Sequence, residues 1–209
     1  PSIGLGWLAS NEGFMEDMTA IDQLKFHTSF GVTGNSEIDP FKSLATISSG
    51  TALIDGGRQA TSYVARLANP DLEWEKTNQF DFGFNLNLFK NRLNFDVSYY
   101  YKLTTDLLLD SPVPHSTGFT SIIDNIGEVE NYGVDFMLNS VNVQSKDFSW
   151  NTTLNVNYNR NKIKQLGENN EDILPGPGWV SGSQTILRVG ESLSSFWGYE
   201  RLGVWTVEE

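Results

Sequence analysis

The chain has 209 residues, of which 39% are hydrophobic and 12% aromatic, and 14 Lys and Arg against 26 Asp and Glu give a formal net charge of −12. The absence of cysteine excludes a disulfide framework, a thiolate nucleophile and a Cys-ligated zinc ion, and the acidic balance argues against nucleic acid as a partner. No apolar run approaches the roughly 18–20 residues of a membrane-spanning helix.

Alternation of apolar and polar residues dominates the chain, whereas helical spacing is scarce. In chain order, the alternating segments are Ile3–Trp7, Leu24–Val32, Phe80–Leu88, Leu93–Tyr101, Tyr132–Leu138 and Phe148–Tyr158. Because successive side chains of a strand point to opposite faces, each segment has one apolar face and one polar face. The sequence therefore predicts an all-β protein of antiparallel, up-and-down strands.

The connections between these segments alternate in length. Long connections are predicted over residues 35–73 and 109–125, and short ones at Lys90–Arg92 and 141–147. Short turns on one side and long loops on the other are typical of outer-membrane β-barrels, where they face the periplasm and the cell exterior respectively. We therefore predict six barrel strands, arranged as three hairpins, in residues 1–164, and the start of a large extracellular loop region in residues 165–209.

The two predicted faces differ in composition. Asn, Ser, Thr, Gly and Asp dominate the polar positions, where a water-facing sandwich would carry more Lys and Glu, and this favours a hydrated interior. On the apolar face, tyrosines lie near the long-loop ends of their strands and tryptophans near the short-turn ends: Tyr99, Tyr101, Tyr132, Tyr158, Trp7 and Trp150. Aromatic belts around a hydrocarbon centre favour a membrane barrel, although a soluble β-sandwich also has one apolar face per strand.

Several stretches are more specific than the alternation. In chain order they are Phe30–Asn35, Asn69–Thr77, Ser98–Leu108, Asn125–Val134, Asn159–Ile163 and Gly190–Gly203. Together they resemble the SusC/RagA-type TonB-linked outer-membrane transporters of Bacteroidetes over essentially the whole chain. The strongest single match is Asn125-Ile-Gly-Glu-Val-Glu-Asn-Tyr-Gly-Val134.

This resemblance implies that the chain is part of the C-terminal half of a transmembrane β-barrel of about 22 strands. Both ends of the sequence fall inside a pattern, so we expect an internal piece of a longer polypeptide, with the plug domain and the remaining strands outside it. The implied activity is import of oligosaccharides (glycans), or in some members peptides, across the Gram-negative outer membrane, without a cofactor. The implied partners are the TonB complex, acting through the plug, a SusD-like surface lipoprotein that caps the barrel, and membrane lipid or lipopolysaccharide.

Aromatic residues in the predicted extracellular segments are the candidate ligand contacts. Flat rings bind the apolar faces of sugars, and such sites combine apolar surface with a few polar groups. The candidates are Tyr63, Phe119, Trp179, Trp197 and Tyr199. The alternative roles for these rings are packing between loops and contact with the capping lipoprotein.

No catalytic residue, metal site or enzyme activity is predicted. His27 and His115 stand apart in the sequence, and His27 is expected to form hydrogen bonds on the polar face. Carboxylate pairs such as Glu128 and Glu130 are expected to be strand-end charges rather than the acid pair of a glycosidase. A soluble β-sandwich that binds carbohydrate or acts as an adhesin is the alternative function, and a glycoside hydrolase is a third hypothesis.

Overall fold

The structure, a computed structural model, describes residues 1–35, 41–54, 56–167, 169–174, 185–193, 195–200 and 203. Its strands are β1 (Ser2–Leu8), β2 (Ile21–Asn35), β3 (Thr46–Ile54), β4 (Gly57–Arg66), β5 (Glu75–Leu88), β6 (Leu93–Pro112), β7 (Ser121–Gln144), β8 (Ser149–Leu166), β9 (Thr185–Ile186) and β10 (Ser195–Phe196). Three single-turn 3-10 helices lie at Ala9–Asn11, Gly13–Met15 and His115–Thr117. In the described ranges no helix has the length and hydropathy needed to cross a membrane.

Six of these strands form one antiparallel sheet in the order β1-β2-β5-β6-β7-β8, and each strand pairs with its neighbour along the chain once the β3–β4 hairpin is set aside. The all-β, antiparallel, up-and-down prediction is confirmed. The sheet is open in the described residues, with β1 and β8 as its edges. We refer to the end with the connections 9–20, 89–92 and 145–148 as the short-turn end, and to the opposite end as the long-loop end.

The pairing register aligns the apolar positions of all six strands on one face, which we call the apolar face. Its middle row consists of Trp7, Phe26, Phe84, Val97, Phe136 and Val156. The next row consists of Leu5, Thr28, Phe82, Tyr99, Val134 and Tyr158, and the row nearest the long-loop end of Ile3, Phe30, Phe80, Tyr101, Tyr132 and Arg160. The three rows contain a single charged residue, Arg160, at the edge strand and at the long-loop end.

The apolar face is uncovered. Leu5 is 70% exposed, Phe82 45% and Val156 51%, and within the described ranges no second sheet is stacked on these side chains. Monomeric soluble proteins rarely expose a contiguous apolar patch of this extent. A soluble β-sandwich would cover such a face with its second sheet, so the uncovered face argues against that alternative.

Three predicted loop boundaries differ from the observed strands. The long connection predicted at 109–125 is mostly strand, because β6 continues to Pro112 and β7 begins at Ser121. Bulges between Thr104 and Leu108 shift the alternation, and Asp106 adopts a left-handed φ of 59°, so the period-2 pattern fails there although pairing continues. Similarly, the region predicted as loop 35–73 contains the β3–β4 hairpin, and the region 165–209 contains the short pair β9–β10.

A small hydrophobic cluster lies at the long-loop end, on the face opposite the apolar face. Val129, Ile163 and Leu166 are buried in it, and Leu107, Leu109, Ile173 and Leu187 pack against them. Ile173 and Leu187 also form a mutual backbone bridge. The segment after β8 therefore folds back over the inner side of the extended strands β6–β8.

Candidate functional site

The polar face of the sheet is lined by side chains that bond to one another. Three carboxylates on this face accept hydrogen bonds from side-chain amides, in the pairs Gln79–Asp81, Asn85–Asp96 and Asn157–Asp135. The Gln79 amide lies 2.9 Å from both oxygens of Asp81, which also accepts from the Ser29 hydroxyl at 3.2 Å. The result is a polar surface of amides and carboxylates, suited to contact with water and polar solutes.

Two glycines on the polar face are covered by larger side chains from the neighbouring strand. The His27 imidazole lies over Gly83, where an added Cβ would come within 2.6 Å of its Nε2 atom. The Tyr100 ring lies over Gly133, and its hydroxyl accepts a hydrogen bond of 2.8 Å from Asn159. The expectation that His27 lies on the polar face is therefore confirmed by the register, which places it between Gly6 and Gly83.

Two cavities open on this side of the sheet. One, of about 380 Å³, is a depression over the small residues of β1 and β2, beside the larger side chains of Gln79 and Asp81. The other, of about 280 Å³, lies at the long-loop end between Asp124, Leu166 and the segment that contains Asp172. Both have mixed linings: large apolar side chains, such as Phe30 in the first and Ile173 in the second, lie beside polar and small ones. In the part of the chain that the structure describes, no group of three or more His, Asp or Glu is placed to hold a metal ion.

Two of the sequence stretches singled out above meet at the long-loop end. The Asn125 side chain donates to the carbonyls of Glu73, at 2.9 Å, and Asp106, at 2.7 Å, and accepts from the Glu73 amide at 2.8 Å. The Asn69 amide donates to the carbonyl of Ile123 and to the carboxylate of Asp124. These bonds hold the chain leaving the β3–β4 hairpin against the β6–β7 extension. We call Asn69, Glu73 and Asn125 the clasp.

The clasp was not predicted as a functional group from the sequence. Both asparagines belong to recognisable motifs, but their spacing of more than fifty residues carries no signal of contact. A partial signal is the Asn-Pro step at Asn69, which is typical of a turn. Asn69 accepts a hydrogen bond from the backbone of Asp71, as turn-forming asparagines do.

The predicted aromatic contacts occupy separate places. Tyr63 is on β4, 57% exposed, with its ring beside Gly50 of β3. Phe119 is half-buried in the connection between β6 and β7, and Tyr199 is fully exposed after β10. None of the described ring–ring contacts involves these residues or Trp197. Trp179 lies outside the described residues.

Trp197 has the most defined surroundings of these residues. The Arg188 guanidinium lies 5.3 Å from its ring centroid and donates to both oxygens of Asp172, at distances from 2.6 to 3.1 Å. These hydrogen bonds hold the pKa of the Asp172 carboxyl below its usual value and raise the pKa of Arg188. Trp197 remains 46% exposed beside this ion pair.

The open sheet, its uncovered apolar face and its amide-rich polar face define a segment of an outer-membrane type of β-barrel. A family model described as "TonB dependent receptor-like, beta-barrel" matches residues 1–206. The chain belongs to this family. The family consists of receptors and not of enzymes, which is consistent with the expectation that no catalysis takes place here.

Known proteins with similar sequences carry related names. The chain is 38% identical over 209 residues to TonB-dependent receptor P26 of Formosa agariphila and 29% identical over 213 residues to TonB-dependent receptor SusC of Bacteroides thetaiotaomicron. These alignments cover 100% and 97% of this chain but only 21% of each relative. The chain thus spans about one-fifth of the length of the curated relatives it matches.

Solved structures agree with this assignment. The RagAB peptide importer in its "closed-closed" state matches with a TM-score of 0.77 and 33% identity, over 93% of this chain and 20% of that one. The same importer in its "open-open" state matches with a TM-score of 0.76. The predicted resemblance to the SusC/RagA type is confirmed.

Proposed function

We propose that this chain is a segment of a TonB-dependent transporter in the Gram-negative outer membrane, which imports oligosaccharides or peptides together with a SusD-like surface lipoprotein. The apolar face contacts lipid, and the polar face lines the lumen. The observation that carries the proposal is the register, which collects apolar side chains into continuous rows on one face and amides and carboxylates on the other. Family membership supports the transport class.

Two substrate classes are consistent with the site. A similar solved structure is named as a peptide importer, whereas exposed aromatic rings such as Trp197, on a chain whose polar face carries amides and carboxylates, suit oligosaccharides. We propose that Tyr63, Phe119, Trp197 and Tyr199, and Trp179 outside the described residues, include the ligand contacts. The TonB complex would act through a plug domain, and the capping lipoprotein would approach from the long-loop end.

A matched pair of substitutions tests the orientation of the sheet. In the full-length receptor, Phe84→Arg places a cation at the middle of the apolar face, where an arginine facing lipid costs roughly 2–4 kcal/mol. Asn85→Arg places the same cation one residue further, on the polar face beside Asp96. We expect Phe84→Arg to reduce the amount of heat-modifiable, folded receptor in purified outer membranes, and Asn85→Arg to leave it near the unsubstituted level. Equal tolerance of the two substitutions would contradict the proposal.

A further inference from the structure

Two basic residues, Arg160 and Lys162, form a column on the apolar face of β8. Tyr158, Arg160 and Lys162 pair with Val134, Tyr132 and Glu130 of β7, so the alternation of the strand places all three on the apolar face. The Arg160 Nε atom donates to the Tyr158 hydroxyl at 3.0 Å, with the guanidinium 5.6 Å from that ring. The bond confirms that the two side chains share one face.

The position of these cations along the strand indicates their level relative to the aromatic belt. Arg160 lies in the same row as Tyr101 and Tyr132, and Lys162 lies one row closer to the long-loop end. Tyrosines at this level correspond to the aromatic belt where hydrocarbon gives way to lipid headgroups. Arg160 and Lys162 therefore project at the level of the outer-leaflet headgroups, which long basic side chains can reach.

The acidic residues beside the column are less exposed than the cations. Glu130 is only 14% exposed, accepts a hydrogen bond from Tyr101 at 3.3 Å and pairs with Lys164 at 3.6 Å. Glu128 is half-buried. In the described part of the chain, no carboxylate pairs with Arg160 or Lys162, and both are exposed. The outward surface of this patch is therefore cationic, on a chain whose net charge is −12.

We propose that Arg160 and Lys162 form a docking site for the phosphorylated headgroup of an anionic lipid in the outer leaflet. This inference rests on the proposed membrane orientation and extends it to a named site. A guanidinium matches phosphate oxygens in a bidentate geometry, and an ammonium beside it adds a second charge-assisted contact. The neighbouring Tyr158 and Val156 extend the site towards the acyl chains.

The experiment uses the full-length receptor in nanodiscs of phosphatidylcholine that contain lipid A, the phosphate-bearing anchor of lipopolysaccharide. The test variant is Arg160→Gln/Lys162→Gln. The matched control, Lys90→Gln/Lys146→Gln, removes the same charge from the turns at the short-turn end. Since each basic residue near an anionic surface contributes about 1 kcal/mol, the test variant should retain lipid A roughly 10- to 30-fold more weakly. The control should bind as the unsubstituted receptor does.

Further arms separate the alternatives. The charge-conserving variant Arg160→Lys/Lys162→Arg should retain most of the binding, whereas a purely structural role for the two side chains would leave it as impaired as the test variant. Equal retention by the test and control variants, or displacement of lipid A by millimolar inorganic phosphate, would overturn the inference. If the unsubstituted receptor enters the nanodisc but does not enrich lipid A, only this inference fails. If it does not insert at all, the proposed function fails.

Discussion

The two halves of the long strands β6 and β7 are built by different rules. From Leu93 to Thr104 of β6, every residue pairs in regular register with β7, and the side chains alternate between the apolar and polar faces. Beyond Thr104 the register shifts twice within four residues, and the two strands continue to Pro112 and from Ser121. We call the regular first half of these strands the wall. We call the irregular second half, together with the clasp and the segment after β8, the rim.

The difference shows which forces fix each half. In the wall, odd- and even-numbered positions of a strand point to opposite faces of the sheet. Stability there comes from the backbone hydrogen bonds between strands and from the match between each face and its environment. In the rim, individual side chains replace the repeat: the clasp bonds join chain segments that are far apart, and a hydrophobic cluster anchors the segment after β8. We therefore expect substitutions in the wall to change the stability of the sheet, and substitutions in the rim to change local stability or binding.

The largest of the three effects below is expected in the wall, at Gly133. A Cβ there would lie 2.5 Å from the Tyr158 carbonyl oxygen and 2.6 Å from the Tyr100 hydroxyl. Because the carbonyl belongs to the backbone, Gly133→Ala must displace strand β8 as well as the ring, at a cost of about 1–3 kcal/mol. Urea unfolding of the full-length receptor in lipid vesicles measures this loss.

Gly4→Ala is the control for Gly133→Ala. It adds the same methyl group on the polar face, where the nearest atom, Cβ of Ser29, is 3.7 Å away, so the free energy of unfolding should change little. Equal losses at the two positions would show that the close contact at Gly133 is not what limits substitution there.

A smaller effect is expected in the rim, at Asn125. Asn125→Ala removes three hydrogen bonds to the backbone of Glu73 and Asp106, and leaving such groups unpaired costs about 1–2 kcal/mol. The loss should appear as faster amide hydrogen exchange in residues 67–74 rather than in the wall. Asn131→Ala, on the polar face of the same strand, is the control. Uniform exchange over the whole sheet would argue that the clasp is not local to the rim.

The smallest effect is expected at Trp197, and it concerns binding rather than folding. Trp197→Ala removes an aromatic contact worth about 0.5–1.5 kcal/mol, so the Kd for ligand should rise about two- to tenfold. Titration of the full-length receptor with a pool of oligosaccharides and a pool of oligopeptides identifies the bound class. Trp150→Ala, near the short-turn end of the apolar face, should leave the Kd unchanged, and a rise there as large as at Trp197 would contradict the assignment.

The wall could be predicted from the sequence because one physical rule governs it. The alternation in Phe80–Leu88 and Leu93–Tyr101 indicated both strands, their faces and the tight turn between them, and the observed pairs Phe84–Val97 and Phe82–Tyr99 follow that pattern. The resemblance then indicated the family. No comparable repeat exists in the rim, where Asp106, at φ 59°, lies in the first of two successive register shifts between β6 and β7.

The rim contacts depend on tertiary structure in a way that local sequence does not encode. Asn69 and Asp124 meet through a hydrogen bond of 3.1 Å across 55 residues. Arg188 and Asp172 meet through a fold of the segment after β8, and nothing in their spacing of 16 residues distinguishes them from other charged pairs. The alternation of β8 places Arg160 and Lys162 on one face of the sheet. The role proposed for them also depends on the pairing register, which places tyrosines at the same level.

The β3–β4 hairpin also affects how the sheet can assemble. Strands β2 and β5 pair across a long connection, from Asn35 to Glu75, and bringing their ends together costs conformational entropy. The hairpin takes up about half of that connection and closes through local pairs alone. If it forms first, the remaining free chain is about halved, which lowers the entropic cost of closing the loop by about 0.6 kcal/mol. Early formation of this hairpin therefore favours the pairing of β2 with β5.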